Sequence, residues 1–215
     1  MSLCDTGVCL FLHMRIISSF IEYIFPKRDS FAIVASLSET DALAHYSPTN
    51  QGEFISLSPY PETTIRALIR EAKFHHNEKA WALLALMLRK HFQRQNNECL
   101  VIPIPLSKER QKERGYNQVT EVLKLALKDS PSLKLRSDIL YRKRDTKPQT
   151  SLEKKDRLVN VADAFSLRDD RAADMLGADI IIIDDVATTG ATLKAARLAL
   201  GQLKPKSIKC VALAH

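Results

Sequence analysis

The residues best suited to chemistry stand together in one stretch, Asp184-Asp185-Val186-Ala187-Thr188-Thr189-Gly190-Ala191-Thr192, directly after four isoleucines, Ile180 to Ile183. Two adjacent carboxylates suit sugar hydroxyls or a hard cation. The threonine hydroxyls and the glycine, where the chain enters a helix, suit an anion. Glycine lets the backbone come close to a ligand, and free N–H groups at a helix start attract negative charge. An acidic pair directly before such a cradle repels a bare phosphate. The combination fits a longer ligand, with phosphate in the cradle and hydroxyls, or a magnesium-bound sugar, over the carboxylates.

Two basic segments complement it. Residues 108–114 hold Lys108, Arg110, Lys112 and Arg114 against two acids, and residues 142–157 hold seven cations against three acids, so six of the net +7 charges lie in these two places. Planar guanidinium groups match phosphate oxygens two at a time. The surplus therefore reads first as a phosphate-gripping site and second as a nucleic-acid surface. Aromatics are only 7% of the chain, and few stand among these cations, whereas single-strand binders usually interleave stacking rings with charge.

Elements must bring these residues together. Four consecutive isoleucines cannot alternate inward and outward, so residues 179–183 read as a strand buried on both faces. Cys99–Ile104 and Ser207–Leu213 read the same way, with shorter strands within 133–141 and at 164–167. Helices are expected over 117–128 and 191–203. Ile65, Leu68, Ile69 and Ala72 recur at helical spacing, as do Trp81, Leu84, Leu88 and Phe92 in a helix over about 77–95. Strands alternating with helices, and buried on both faces, predict an α/β fold with a mainly parallel twisted sheet flanked by helices. Carboxylates after the 180–183 strand then lie where open parallel sheets bind ligands, beyond the strand ends.

Composition bounds the rest. With 215 residues, 45% apolar and 27% charged, the chain is a globular protein of one domain plus a small appendage, not a disordered or disulfide-held one. The apolar stretch from Val8 to Phe25 is broken by His13, Arg15 and Glu22, which makes it a poor membrane span. It lacks the pattern of a signal peptide. It reads as an amphipathic helix over about 14–24 behind a little-structured extension, and a cytoplasmic location is expected. Residues 26–60, with apolar runs at 31–35 and 53–57, read as short strands or a loop-rich cap. Cys4 and Cys9 lack zinc-site spacing, and Cys99 and Cys210 read as buried thiols. His75, His76 and His91 read as surface or capping residues.

The stretch 180–192 resembles the phosphoribosyl pyrophosphate signature of type I phosphoribosyltransferases. Further motifs narrow the likeness. Ile102-Pro-Ile-Pro-Leu106 followed by Glu113-Arg-Gly-Tyr-Asn-Gln118 resembles the "PxP…ERGxNQ" stretch of the ComF/GntX-like group. Arg144-Asp-Thr-Lys-Pro-Gln149, Leu152, Arg157, Asn160 and Ala164-Phe165 resemble that group's "R…T…Q…L…R…N…F" stretch, and Ile65-Arg-Ala-Leu-Ile-Arg-Glu-Ala-Lys-Phe74 resembles its upstream helix. The resemblance covers residues 61–215, the expected phosphoribosyltransferase-like domain, and leaves 1–60 as an N-terminal helix and loop-rich extension.

What the resemblance implies is specific. The ligand is phosphoribosyl pyrophosphate with Mg²⁺. Asp184 and Asp185 hold the ribose hydroxyls and touch the metal only through water. Ala187, Thr188, Thr189, Gly190, Ala191 and Thr192 hold the 5-phosphate. Pro105, Leu106, Ser107 and Lys108 form the pyrophosphate loop, with Arg110, Arg114, Asn117 and Gln118 close behind. Residues 142–160 form a hood that closes over the diphosphate, with Arg144 as a catalytic residue and Gln149 and Arg157 on the ligand. The reaction implied is displacement of pyrophosphate from the ribose by a nitrogen nucleophile.

Two departures matter. Purine-salvage members carry a carboxylate where this chain has Thr188, which disfavours a hypoxanthine or guanine transferase of the usual kind. ComF-like proteins often carry a four-cysteine zinc module after a Phe-Pro element. Here Phe25-Pro26 is followed by no cysteine through Leu37, so the module is expected to be lost or degenerate. Two further readings stay open: a DNA-uptake or DNA-processing factor that contacts single-stranded DNA, and a nucleotide-sensing regulator without turnover. A homo-oligomer is compatible with the sequence.

Overall fold

A computed structural model describes residues 29–93, 95, 97–142, 164–168 and 175–215. In the N-terminal half α1 (Asp29–Ser36) and α2 (Glu39–Ala44) lead to β1 (Thr49–Asn50) and β2 (Ile55–Ser56), and then to α3 (Thr63–Phe74) and α4 (Glu78–Phe92). Next come β3 (Cys99–Pro103), α5 (Lys108–Arg114), α6 (Gln118–Ala126), β4 (Leu133–Leu135) and β5 (Leu140–Arg142). The chain closes with β6 (Phe165–Leu167), β7 (Asp179–Val186), α7 (Ala191–Gly201) and β8 (Ser207–Ala214).

Six strands form one sheet in the order β1-β2-β8-β7-β3-β4. Every pairing is parallel except β1 with β2. The α/β architecture expected from the strand–helix alternation is therefore present: a mostly parallel sheet flanked by helices.

The isoleucine run sits at the centre of this sheet. Ile180–Ile183 pair with Leu100–Pro103 on one side and Ile208–Val211 on the other. Alternate side chains serve opposite faces. Ile181 and Ile183 join Ile65, Leu68, Leu84, Val119 and Leu123 from α3, α4 and α6. Ile180 and Ile182 join Leu193, Ala196 and Leu200 of α7 together with Ile139 and Phe165. Each face is covered by helices, which is why the run needs no polar position. Each such side chain contributes roughly 1.5–3 kcal/mol on burial.

Several details differ from expectation. Residues 31–35 lie in a helix, α1, not in a strand or loop. There Ser30 Oγ donates to the buried Glu71 Oε1 at 2.7 Å, tying α1 to α3. Residues 53–57 do supply a strand, β2, and it extends the main sheet beside β8. The segment after β3 is not all loop: Ser107 caps α5 by accepting from the Arg110 N–H, and Gly115, left-handed at φ 77°, ends it. None of the α5 side chains is buried. The region 133–141 yields two strands instead of one. Strand β7 runs on through Val186, so Asp184 and Asp185 belong to its last residues and do not lie beyond its end. Cys99 and Cys210 are buried thiols, as expected. The expected helix over 14–24, along with Cys4 and Cys9, lies outside the described residues. Among the described residues no helix is long and apolar enough to cross a membrane.

Candidate functional site

The site forms where β7 ends. Its neighbour β3 ends earlier, with Pro103 opposite Ile183, and the Ile104 N–H donates to the Ile183 carbonyl at 2.8 Å, so the chain leaves β3 just before the carboxylates of β7. The turn after β7 is held by its own backbone and by two aromatic rings from elsewhere. The Ala187 N–H donates to the Ala214 carbonyl at 3.0 Å. Nδ1 of His215 lies 2.8 Å from the Ala187 carbonyl oxygen and donates there in the tautomer protonated on that nitrogen. The His215 ring meets Phe54 edge-on, with centroids 5.4 Å apart.

Gly190 N-caps α7 in the left-handed conformation (φ 71°, ψ 3°), without a side-chain cap bond. The first N–H groups of α7 are thus left for another acceptor. Thr189 Oγ1 makes only a long contact to the Ala191 N–H, at 3.4 Å. Thr188, Thr189 and Ala191 are exposed, and Thr192 is partly so. A Cβ on residue 190 would lie 2.9 Å from two ring carbons of Phe54, so glycine is required for space as well as for conformation.

The two carboxylates have different surroundings. Asp185 is buried. Its Oδ2 faces the ammonium of Lys73 at 2.9 Å and accepts from the Gln118 side-chain amide, and its Oδ1 accepts the Val186 N–H at 2.7 Å. Asp184 accepts the Asp185 N–H at 2.9 Å. Loss of hydration, and then the adjacent charge of Asp185, push the Asp184 carboxyl up to about 7, although that N–H bond, Lys73 and Arg142 oppose the rise.

Gln118 links the carboxylates to the basic segment. Its Oε1 accepts from an Arg114 NH1 group at 3.2 Å, and the Arg114 guanidinium lies 4.8 Å above the Phe74 ring. Burial pushes the Arg114 pKa down while the charge of Asp185 draws it back. Asn117 spends its amide locally: Nδ2 donates to the Ile104 carbonyl at 2.9 Å, and Oδ1 accepts the Val119 N–H at 3.0 Å to cap α6. Beside it a cleft of about 310 Å³ is lined by Pro105, Leu106, Gln111, Asn117 and Thr120. Tyr116 packs edge-on against Trp81 and His76, and its hydroxyl donates to the Ala72 carbonyl at 3.1 Å.

The sequence-derived candidates thus fall into three groups. Asp184, Asp185, Ala187–Thr192, Arg114 and Gln118 come together at the end of β7. Pro105, Leu106, Ser107 and Asn117 line the adjoining loop, while Lys108 and Arg110 point from the exposed α5. Arg144, Gln149 and Arg157 lie outside the described residues. The strands that flank their segment, β5 and β6, pair antiparallel, with Arg142 opposite Phe165.

Lys73, Phe54 and His215 were not anticipated. Lys73 looks in sequence like an ordinary basic residue in the last turn of a helix, where the dipole favours it. Phe54 and His215 sit in short apolar or terminal contexts with no motif. Among the described residues no three His, Cys, Asp or Glu side chains cluster to hold a metal ion. A magnesium ion that brings most of its oxygens with a ligand does fit the carboxylate oxygens of Asp184, reached through water.

Residues 115–215 match the phosphoribosyl transferase domain family. The chain is 38% identical over 127 residues to the competence protein ComFC of Bacillus subtilis, covering 58% of this chain and 45% of that protein. It is 36% identical over 118 residues to competence protein F of Haemophilus influenzae, covering 54% and 49%. The chain thus spans about half the length of these curated relatives. A solved hypoxanthine phosphoribosyltransferase from Staphylococcus aureus overlaps 69% of this chain and 62% of its own, at 16% identity and a TM-score of 0.36, a likeness too loose to build on.

Proposed function

We propose that this chain, which carries a ComF-like phosphoribosyltransferase domain, is a cytoplasmic protein that binds phosphoribosyl pyrophosphate with Mg²⁺ and transfers the ribose 5-phosphate to a nitrogen nucleophile. One observation carries the reading: two carboxylates at the end of the central strand run directly into a turn with a left-handed glycine and the unclaimed N–H groups of α7. A sugar phosphate spans those two features, whereas a bare phosphate would meet repulsion from Asp184 and Asp185.

In this reading the backbone N–H groups of residues 188–192 and the threonine hydroxyls hold the 5-phosphate. Asp184 and Asp185 orient the ribose hydroxyls. Arg114, Lys108 and Arg110 offer positive charge to the diphosphate. Arg144, Gln149 and Arg157 close over it from the segment between β5 and β6, excluding water and neutralising the leaving group. Magnesium, if bound, would be held through water by Asp184 and Asp185 and would supply Lewis-acid charge for the leaving diphosphate. Thr188, which cannot act as a carboxylate base, leaves proton removal to the acceptor itself or to another group.

Calorimetry with phosphoribosyl pyrophosphate and Mg²⁺ tests the reading. Saturable binding is expected in the wild type and none in Asp184→Asn/Asp185→Asn, with thermal unfolding still cooperative. Equal affinity in the double variant overturns the ligand assignment. The names of the two competence proteins, and a helix α5 that exposes Lys108, Arg110 and Lys112, favour a second reading as a single-stranded-DNA factor. Oligonucleotide binding that falls steeply with salt and survives the double variant would support it.

A further inference from the structure

Asp185 is a crowded carboxylate for a residue expected to meet a ligand. Lys73 and Gln118 both occupy its Oδ2, and the Val186 N–H occupies Oδ1. The pair is shielded from solvent, with the Lys73 side chain 22% exposed and that of Asp185 9% exposed. The ammonium comes from the last turn of α3, outside the 115–215 stretch that matches the domain family. No third acidic, histidine or cysteine side chain joins the two aspartates among the described residues. A divalent ion of the magnesium type requires about six oxygens. Among the described residues the site offers it two carboxylates, and a cation already sits on one of them.

We propose that Lys73 is the resident cation of the Asp184–Asp185 pair: it keeps a free divalent ion off the carboxylates, so that metal enters only when a diphosphate-bearing ligand brings it. Lys73 is a positioning residue in this scheme. Its charge replaces the one a pre-bound metal would supply, and it leaves Asp184 as the carboxylate turned to the incoming ligand. The inference rests on the proposed function for calling this the ligand site, but its test needs no phosphoribosyl pyrophosphate.

The probe is Mn²⁺ alone, followed by water-proton relaxation, with wild type, Lys73→Met, Lys73→Gln and Lys73→Arg compared at one ionic strength. Wild type and Lys73→Arg are expected to bind Mn²⁺ weakly, and Asp184→Asn/Asp185→Asn is expected not to change that weak binding. Lys73→Met and Lys73→Gln, which leave Asp185 without its counter-cation, should bind at least about tenfold more tightly. Adding Asp185→Asn to either should remove the gain. Two outcomes overturn the inference: wild-type Mn²⁺ binding as tight as that of the neutral variants and abolished by the double aspartate substitution, or no gain in either neutral variant. If Lys73→Met fails to fold, Lys73→Gln and the wild-type measurement still decide. A wild type that ignores phosphoribosyl pyrophosphate overturns the proposed function and leaves the Mn²⁺ result standing, and the reverse also holds.

Discussion

Replacing Gly190 by alanine tests the turn after β7 at its narrowest point. The residue has φ 71°, a conformation that costs an L-residue with a Cβ roughly 1–2 kcal/mol. The new Cβ would also lie 2.9 Å from Cδ1 and Cε1 of Phe54. That ring cannot swing aside cheaply. It is 5% exposed and meets the His215 ring edge-on, while Nδ1 of His215 holds the Ala187 carbonyl. Forcing an atom into such packing typically costs about 1–3 kcal/mol. The two contributions together come to about 2–5 kcal/mol, against a total stability of about 5–15 kcal/mol for an ordinary domain. At about 2–4 °C per kcal/mol for a chain of this length, the midpoint of thermal unfolding should fall by about 4–20 °C.

A double-variant cycle separates the two contributions. Phe54→Leu alone should destabilise by leaving space in the core. In the Gly190→Ala background it also makes room for the new methyl, so the pair should couple favourably by at least about 1 kcal/mol. What remains is the backbone cost. The measurement is thermal unfolding of all four proteins, followed by circular dichroism. A Gly190→Ala protein that melts within about 1 °C of wild type would refute the left-handed turn, since strain of this size cannot hide within that margin. Purely additive effects of the two substitutions would refute Phe54 as the obstacle.

Two further outcomes are expected. The Asp184 carboxyl titrates near 7 when folded and near the ordinary value of 3.8 when unfolded, so the folded state holds the extra proton between those values and stability falls as pH rises from about 4 to 7. Asp184→Asn should flatten that decline and gain on wild type at pH 8 relative to pH 4, as read by denaturant midpoints; parallel curves would show that Asp184 is not the group responsible. On the proposed reading Arg144→Ala should lower kcat more than it weakens phosphoribosyl pyrophosphate binding; equal losses would mark it as a static binding residue.

Much of this arrangement was legible before any coordinates. The isoleucine run declared a strand buried on both faces because no alternation was possible, and the register shows Ile180 and Ile182 on one face, Ile181 and Ile183 on the other. The spacing of Ile65, Leu68, Ile69 and Ala72 declared a helix, and all four are buried. Helix α5 was not foreseen, because Lys-Glu-Arg-Gln-Lys-Glu-Arg has no apolar periodicity to read; its caps, Ser107 and Gly115, were the only signal. Residues 31–35 were misread because a short apolar run does not by itself distinguish strand from helix.

The sequence by itself determined which residue types stand together at the end of β7. Acid pair, threonines and glycine are contiguous, and local backbone rules bind a strand, a turn and a helix start to that order. It also determined which helices and strands must hide their faces. Only the tertiary structure decided what surrounds Asp185. Lys73 and Gln118 reach it from α3 and α6, and Phe54 and His215 reach the turn after β7 from β2's approach and the end of β8. No periodicity encodes such meetings. They follow from placing β7 between β3 and β8 and packing α3 and α6 on one face of the sheet, which brings distant side chains to a single strand end.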